Sequence, residues 1–252
     1  MSSKIAVLSD VHGNLVALEA VRKDVKKAKP DAILVCGDLA MNGPDPAGVV
    51  DALRDMAGDG ALIVQGNTDV AVADFDYAAA FPWMTEGVPD AIRAAAEWAN
   101  ETLGDERLDW LRSLPAERRI RLEDTLVLAT HASPGSQTSG FDRDLDASVT
   151  LERLSRTDAR VICCGHTHLP EVRDFGWKQI VNDGSAGYVF DGDPTASWAL
   201  VTLDGSGDDV SVSAEIRRSE FDTMTVSNAI SARGLPGDVY RAATVRTGKL
   251  VR

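Results

Sequence analysis

Cysteine and histidine are both scarce in this chain. Its 252 residues include three cysteines and four histidines. Cys163 and Cys164 are adjacent in sequence and the total is odd, so the cysteines are poor material for a disulfide framework. This excludes a small disulfide-stabilised secreted protein and indicates a reducing compartment. We expect Cys36, Cys163 and Cys164 to be small buried residues of the core.

Long apolar runs and an excess of positive charge are also missing. No apolar run approaches the ~20 residues of a membrane-spanning helix. The first residues do not show the basic segment and long apolar stretch of a signal peptide. The 39 acidic residues outnumber the 26 lysines and arginines, which gives a net charge of −13. Surfaces that follow nucleic-acid phosphates are basic, so we expect a cytoplasmic protein with neither a membrane nor a nucleic-acid partner.

Short apolar runs alternate with helical patterns, which is typical of an α/β fold. Five of these runs predict strands that are buried on both faces: 4–10, 32–38, 61–67, 125–131 and 160–166. Beyond His168 three further strands are predicted, closer to an antiparallel meander: 179–185, 197–203 and 210–216. The chain is long enough to bury a substantial core.

Polar residues that cap helices accompany the first helical patterns. Asn14 can cap a helix that carries Leu15 and Leu18 at helical spacing. Asp45 and Pro46 supply a cap and a first-turn proline for the next helix.

Three further helices are predicted between residue 90 and the C-terminus. Residues 90–103 and 105–114 predict two helices within a cap insertion over 70–118. Asp222 and Gly234 bound a last helix over 222–233. We expect a single domain over 1–252. Its segment 219–252 is expected to form a C-terminal helix followed by a basic tail, which is frayed from residue 240 onwards.

Residues that can bind metals follow each of the five buried strands. Ligands of open α/β sheets bind at the carboxyl ends of the strands, so we expect these side chains to converge. All four histidines belong to the set, which comprises Asp10, His12, Asp38, Asn67, His131, His166 and His168. Mixed histidine and aspartate ligands suit manganese, iron or zinc. The sequence therefore predicts a site for a pair of divalent metals.

Spacing within these motifs supports a shared site. Asp10 and His12 are two residues apart, as are His166 and His168, so each pair can face one way on an extended strand end. A glycine before Asp38, Asn67 and His166 permits sharp turns and close backbone approach. Each motif alone also fits a simple turn at a strand end, and Gly66-Asn67-Thr68-Asp69 by itself fits a hairpin.

The order of these motifs resembles the calcineurin-like metallophosphoesterases. The motifs are Asp-x-His at 10–12, Gly-Asp at 37–38, Gly-Asn-x-Asp at 66–69, His131, and Gly-His-x-His at 165–168. The forms LSDVHGN and CGHTHLP are similar to the compact bacterial and archaeal phosphodiesterases. The resemblance covers about 1–205. It implies an α/β fold of the metallo-dependent phosphatase type, a two-sheet αββα sandwich, here with a small helical cap.

The resemblance also implies how the ligands divide between two divalent transition metal ions. One metal is expected on Asp10, His12, Asp38 and His168, and the other on Asp38, Asn67, His131 and His166, so that Asp38 bridges. Manganese is the preferred metal, with iron or zinc as alternatives. We expect Asp38, Asn67 and His131 to act in catalysis, and Asn67, Thr68 and His131 to contact the substrate.

The implied activity is hydrolysis of phosphodiesters by a hydroxide held between the two metals. Many family members have a histidine directly after the motif asparagine, placed to protonate the leaving group. This chain has Thr68 there, so we expect a preference for good leaving groups, such as aryl esters or nucleotide phosphates. Asp69 is expected behind the ligands, orienting Thr68 or a ligand. Its alternative role is a cap or turn carboxylate.

Several alternatives remain open from the sequence. The enzyme could instead hydrolyse dinucleoside polyphosphates or phosphomonoesters. A non-catalytic scaffold of the same fold and a one-metal hydrolase of carbon–nitrogen bonds are further alternatives, and both fit the complete ligand set less well. Asn42 could contact phosphate or serve a turn, and the loop 133–141 could wall the pocket or simply connect elements. The physiological substrate and the oligomeric state are not predicted.

Overall fold

Two mixed β-sheets form the centre of the molecule. The computed structural model describes residues 2–205 and 209–252. The strands are β1 (Ser2–Leu8), β2 (Ala32–Val35), β3 (Leu62–Ile63), β4 (Glu117–Leu122), β5 (Thr125–Thr130), β6 (Val161–Cys164), β7 (Glu171–Asp174), β8 (Gln179–Asn182), β9 (Ala196–Asp204) and β10 (Ser211–Ser219). The first sheet has the order β10-β9-β1-β2-β3 and the second has the order β4-β5-β6-β8-β7.

Helices fill most of the connections between the strands. They are α1 (Leu15–Ala28), α2 (Pro46–Gly58), α3 (Asn67–Asp74), α4 (Tyr77–Ala80), α5 (Asp90–Ser113), α6 (Ala147–Ser155), α7 (Thr223–Arg233) and α8 (Asp238–Thr247). The helix α5 is broken at Gly104, which has φ 66° and ψ 169°. This break confirms the two separate helical patterns of the sequence. None of the helices in 2–205 and 209–252 has the length and apolar character needed to cross a membrane.

The parallel strands lie side by side in both sheets. In the first sheet β1 pairs parallel with β2 (Ile5 opposite Ala32), and β2 pairs parallel with β3. In the second sheet β6 pairs parallel with both β5 and β8. The strands β10, β9, β4 and β7 add antiparallel pairs at the margins. The carboxyl ends of β1, β2, β5 and β6 are thereby available to build one site.

Alternating residues of each strand place the two sheets face to face. Ile5 and Val7 of β1 belong to the same buried cluster as Val127 and Val161 of the second sheet. The intervening residue Ala6 instead packs with α1 and α2. Because strand side chains alternate between faces, each central strand is buried on both faces, by the other sheet on one and by helices on the other. The predicted two-sheet α/β sandwich with outer helices is confirmed.

The predicted caps of three helices are confirmed. The side chain of Asn14 accepts a hydrogen bond from Ala17 N, and that of Asp45 accepts one from Gly48 N. Asp222 accepts from Thr225 N, and Gly234 ends α7 in the left-handed conformation. These interactions satisfy backbone groups that helix ends would otherwise leave unpaired.

Several elements differ from the prediction. The strands beyond His168 do not form one meander, because β7 and β8 join the second sheet whereas β9 and β10 join the first. The strand β4 was not predicted, since its charged residues alternate with few apolar ones. The residues from 240 onwards are not a frayed tail: most of them form α8, whose residues Val245 and Ala242 pack with Tyr188.

Candidate metal centre

Loops that follow the central strands converge between the two sheets. Asp10 N donates to Gly37 O at 2.9 Å, and Gly165 N donates to His131 O at 2.9 Å. His166 N donates to Asp10 Oδ2 at 2.9 Å, which joins the loop after β6 to the loop after β1. These cross-links bring together all seven residues that the sequence nominated.

The backbone of this region differs from the predicted extended strand ends. Five of the nominated residues have positive φ angles: Asp10 (51°), His12 (49°), Asp38 (57°), His166 (68°) and His168 (58°). The left-handed region is sparsely populated by residues with a side chain, and such strain concentrates at functional sites. Left-handed turns, and not the two-residue period of a strand, therefore aim these side chains at one centre.

Four of the residues form a buried group with the geometry of a cation site. The ligand atoms of Asp10, His12, Asp38 and His168 all lie within 4.8 Å of one another. His12 Nε2 lies 3.2 Å from His168 Nε2, and His168 Nε2 lies 3.2 Å from Asp10 Oδ1. The oxygen Asp10 Oδ1 is buried and has no hydrogen-bond partner among the described residues. Buried polar atoms are normally paired, so this oxygen fits a role as a metal ligand.

The tautomers of the two histidines strengthen this interpretation. His12 Nδ1 lies 3.1 Å from Met41 O, and His168 Nδ1 contacts Tyr188 O. A carbonyl oxygen only accepts, so each Nδ1 carries a proton, and in a neutral ring Nε2 presents a lone pair. Burial lowers the pKa of His12 to about 4, which keeps that ring neutral near pH 7, whereas at His168 burial is outweighed by Asp10, which raises the pKa of that ring. The two Nε2 atoms, 3.2 Å apart, therefore need a cation or a proton between them.

A second group lies directly beside the first. Asn67 Oδ1 lies 3.0 Å from His131 Nε2 and 3.1 Å from His166 Nδ1. His131 Nδ1 lies 2.7 Å from Cys36 O, so His131 Nδ1 carries a proton and Nε2 faces the site. Asn67 Nδ2 donates to Ala80 O at 3.0 Å, which fixes the amide with its oxygen inward. Amide oxygen and imidazole nitrogen are both metal ligands, so these residues also fit a divalent cation.

Asp38 lies between the two groups. Its Oδ2 is 3.6 Å from His12 Nε2 in the first group, and its Oδ1 is 3.4 Å from His131 Nε2 in the second. The Oδ1 also accepts a hydrogen bond from Thr68 N at 2.9 Å. The carboxylate thus directs one oxygen to each group.

The stretch Gly66-Asn67-Thr68-Asp69 begins a helix and is not a hairpin turn. Gly66 is the N-cap of α3, and Asp69 Oδ2 accepts from Gly66 N at 2.9 Å. Asp69 Oδ1 accepts from Leu39 N at 2.8 Å, directly after Asp38. Burial, with Asp38 adding to it, raises the pKa of Asp69 to about 7. Asp69 is therefore both a helix cap and a brace that joins the loop after β2 to the start of α3.

Glycines allow the loops to approach as closely as predicted. A Cβ on Gly66 would overlap the Asp38 carboxylate and backbone, and one on Gly165 would overlap Ser9 and Asp10. Gly140, in the loop 133–141, packs so that a Cβ would lie 3.0 Å from His166 Cδ2. The side chains of the site leave no room for methyl groups at these positions.

A shallow cleft of about 160 Å³ opens over the candidate metal centre. It is lined by His12, Asp38, Asn42, Asn67, Thr68, Trp83, His166, His168, Tyr188 and Phe190. Among the described residues, the hydroxyl of Thr68 is buried without a hydrogen-bond partner. Phe190 stacks on His168 with ring centroids 4.1 Å apart. The cleft thus combines the nominated residues with an aromatic wall: Trp83 belongs to the segment 70–118, whereas Tyr188 and Phe190 were not nominated from the sequence.

The C-terminal helices also contribute to the site, which the sequence analysis did not foresee. Arg241 Nε donates to Asn42 Oδ1 at 3.1 Å, and Arg233 donates to the carbonyls of Asn42 and Gly43 at 2.8 and 2.7 Å. Asp238 accepts from both arginines. Arg233, Asp238 and Arg241 are close together in the sequence, but no sequence pattern indicated that the two arginines contact Asn42.

The fold and this site define the class of metal-dependent phosphoesterases. The sequence model of the calcineurin-like phosphoesterase superfamily domain matches residues 3–206. The match covers most of the chain, and the protein belongs to this family. Its residues 207–252, with α7 and α8, lie beyond the matched region.

Individual relatives agree with this assignment. The crystal structure of a metallophosphoesterase from Sphaerobacter thermophilus has a TM-score of 0.73 and 27% identity, and the match covers 98% of this chain and 100% of that one. An uncharacterised protein of Methanocaldococcus jannaschii is 28% identical over 254 residues, 94% of this chain and 95% of the relative. A hypothetical protein of Pyrococcus horikoshii has a TM-score of 0.80 at 21% identity over 97% of this chain and 98% of that one, and shows the fold alone.

Proposed function

We propose that this protein is a phosphodiesterase that depends on two divalent transition metal ions. The observation that carries the proposal is the pair of adjacent ligand groups that share Asp38. Asp10, His12, Asp38 and His168 would hold one ion, and Asp38, Asn67, His131 and His166 the other. Manganese is the preferred ion because mixed oxygen and imidazole donors suit it, with iron or zinc as alternatives. When bound, such a pair supplies Lewis-acid charge at the phosphoryl oxygens and lowers the pKa of bound water.

Two polar groups of the cleft are placed to bind the substrate phosphate. Arg241 donates to Asn42 Oδ1, and Asn42 Nδ2 lies 3.4 Å from His12 Nδ1, so one of the two N–H groups of Nδ2 remains for a ligand in the cleft. The free hydroxyl of Thr68 can donate to a phosphoryl oxygen. Preorganised donors of this kind stabilise charge that develops on those oxygens. They also support binding of an anion by a chain whose net charge is −13.

The composition of the cleft supports a preference for good leaving groups. Family members that protonate the leaving group do so with a histidine after the motif asparagine, where this chain has Thr68. All four histidines of the chain belong to the two ligand groups, and none is left to donate a proton. Loss of a general acid costs ~10²–10⁴-fold on leaving groups that need a proton. Aryl esters and nucleotide phosphates leave without that help.

A substrate panel with added manganese tests the proposal. We expect hydrolysis of bis-aryl phosphodiesters and at least 100-fold slower turnover of a matched alkyl diester. Asp38→Ala and His166→Ala should abolish hydrolysis, whereas Asp105→Ala, on the exposed face of α5, should not change it. Equal turnover of alkyl and aryl diesters would refute the leaving-group preference. Full activity in Asp38→Ala and His166→Ala would refute the site.

The same panel separates the alternative activities. Faster turnover of dinucleoside polyphosphates or of phosphomonoesters than of diesters would assign the site to those substrates. A protein that takes up no metal and hydrolyses none of the panel would instead be a scaffold. The complete ligand set favours catalysis over a scaffold, because Asp10 Oδ1 and the facing imidazole nitrogens of His12 and His168 are buried at one point, as residues that hold a cation would be.

A further inference from the structure

Trp83 stands out among the aromatic residues that line the cleft. Its side chain is 53% exposed, although it borders the same cleft as Asn67, Thr68 and His166. A tryptophan normally buries most of its large apolar area. Within the described part of the chain, the other cleft aromatics are more covered: Tyr188 is 9% exposed, and Phe190 stacks on His168. Trp83 therefore exposes a larger fraction of its apolar surface than the other aromatic residues of the cleft do.

The segment that carries Trp83 is joined to the candidate metal centre. Ala80, the last residue of α4, accepts the hydrogen bond from Asn67 Nδ2. Phe81 is buried in the core and contacts the Trp83 ring edge-on at 5.8 Å between centroids. The ring of Trp83 lies 6.4 Å from that of His166 at an interplanar angle of 70°. The indole is thus held at the rim of the cleft, next to the second ligand group.

The small size of the cleft indicates that part of the substrate extends over this rim. Its volume of about 160 Å³ is below the ~300–1,000 Å³ of pockets that enclose drug-sized ligands. A phosphoryl group fits over the ligand groups, but an ester substituent has to extend beyond them. A substituent that leaves the cleft on the side of His166 passes Trp83.

We propose that Trp83 binds a planar aromatic group of the substrate, a nucleobase or an aryl ring attached through the phosphate, by stacking on its indole. This inference rests on the proposed phosphoesterase function and names the substrate class of that site. Stacking on an aromatic side chain tolerates any base or ring, because each presents a π-face. Trp83 is accordingly a specificity residue that recognises the aromatic part of the ester and takes no part in the bond cleavage.

Binding measurements test this role without relying on turnover. Titration calorimetry with the manganese-loaded protein compares phenyl phosphate and adenosine monophosphate with methyl phosphate and inorganic phosphate. In the wild type, both aromatic ligands should bind at least tenfold more tightly than methyl phosphate. Trp83→Ala should remove most of this advantage and leave the affinity for inorganic phosphate unchanged. Trp83→Phe should retain most of the advantage because it keeps an aromatic face.

Trp177 provides a matched control. It is also 53% exposed, but it lies in the turn between β7 and β8 and does not line the cleft. Trp177→Ala should bind all four ligands as the wild type does. Loss of the aromatic advantage in Trp177→Ala, or its retention in Trp83→Ala, would overturn the assignment of Trp83.

The two proposals can fail separately. A wild-type protein that binds inorganic phosphate and hydrolyses esters, but whose aromatic preference survives in Trp83→Ala, refutes only the inference about Trp83. A metal-loaded wild type that neither binds inorganic phosphate nor hydrolyses any ester refutes the proposed function and the inference with it. Loss of the preference for adenosine monophosphate alone supports Trp83 as a nucleobase site, and loss for both ligands supports a site for any planar ring.

Discussion

Thr68 has a buried hydroxyl beside the Asp38 carboxylate, with no partner for its Oγ1 within the described structure. A buried hydroxyl without a hydrogen bond costs ~1–3 kcal/mol. Natural sequences rarely keep such a group unless a ligand uses it. The missing histidine after Asn67 and the unpaired hydroxyl of Thr68 are therefore two consequences of one residue, which we propose both restricts the leaving groups and supplies a contact for the substrate.

Thr68→Val separates these effects. Valine has nearly the same shape but lacks the hydroxyl, so we expect the free energy of unfolding to rise by about 1 kcal/mol. The affinity of the manganese-loaded protein for inorganic phosphate should fall about 2- to 10-fold, as expected for one hydrogen bond. Urea unfolding and titration calorimetry measure the two quantities. Lower stability together with unchanged phosphate affinity would contradict this role of Thr68.

Asp183 makes stability depend on pH. Both of its carboxyl oxygens are buried without a hydrogen-bond partner. Burial, with Asp10 adding to it, raises the pKa of Asp183 well above its usual range. The folded protein therefore holds a proton that the unfolded chain loses above about pH 4. The resulting contribution to stability is complete below that pH and is lost at ~1.4 kcal/mol per pH unit as the pH rises towards the folded-state pKa.

Asp183→Asn should remove this contribution. Urea unfolding, with chelator present in both samples, measures the free energy of unfolding of Asp183→Asn minus that of the wild type. This difference should rise between pH 4 and pH 7. The difference should increase by about 1.4 kcal/mol per pH unit. Parallel stability curves for the two proteins would show that Asp183 titrates normally in the fold.

At the scale of elements, loops and not strands build the site. The sequence nominated the candidate ligands because each follows an apolar run, and the carboxyl ends of parallel strands meet. It did not indicate the left-handed backbone of Asp10, His12 and Asp38, because left-handed residues other than glycine depend on tertiary contacts. Likewise Gly66-Asn67-Thr68-Asp69 reads as a turn until the hydrogen bond of Asp69 to Leu39 N is known.

Two of the missed elements, β4 and α8, have a polar composition. The edge strand β4 carries three arginines and one glutamate among its six residues. The helix α8 buries Arg241 and Asp238, which hydrophobic periodicity cannot identify as core positions. Their burial depends on partners in α7 and at Asn42, outside α8. Local patterns therefore predicted the central strands and the helices capped by Asn14, Asp45 and Asp222, but not these two elements held by polar contacts.

Gly66→Ala tests whether the loops must pack this closely. The added methyl group would overlap Asp38, so the free energy of unfolding should fall by about 1–3 kcal/mol. Metal uptake should fall as well. Gly58→Ala is the matched control, because a Cβ at Gly58, the last residue of α2, meets no atom within 4 Å. Its stability should stay the same or rise slightly. Thermal unfolding and metal analysis compare both with the wild type, and equal behaviour of the two variants would disprove the packing argument.

At the scale of the whole molecule, the charges of the chain and of the site have to be reconciled. A net charge of −13 repels anionic esters at long range. The two divalent cations that we propose would reverse the sign locally, where the phosphate has to bind. The sandwich brings His12, which follows a strand of the first sheet, into contact with His168, which follows a strand of the second. His131 and His166, which both follow strands of the second sheet, contact each other. The fold thus concentrates all four histidines at the one place where positive charge is required.

The stoichiometry of bound metal tests this account most directly. After loading with manganese and desalting, elemental analysis should find two equivalents per wild-type chain. Asn67→Ala should retain one equivalent on Asp10, His12, Asp38 and His168 and lose hydrolysis of aryl diesters. Asn100→Ala, which removes an amide bonded to Val72 O in the cap, should keep both equivalents and the activity. A wild-type chain that hydrolyses aryl diesters at full rate with one equivalent or none would contradict the two-metal centre.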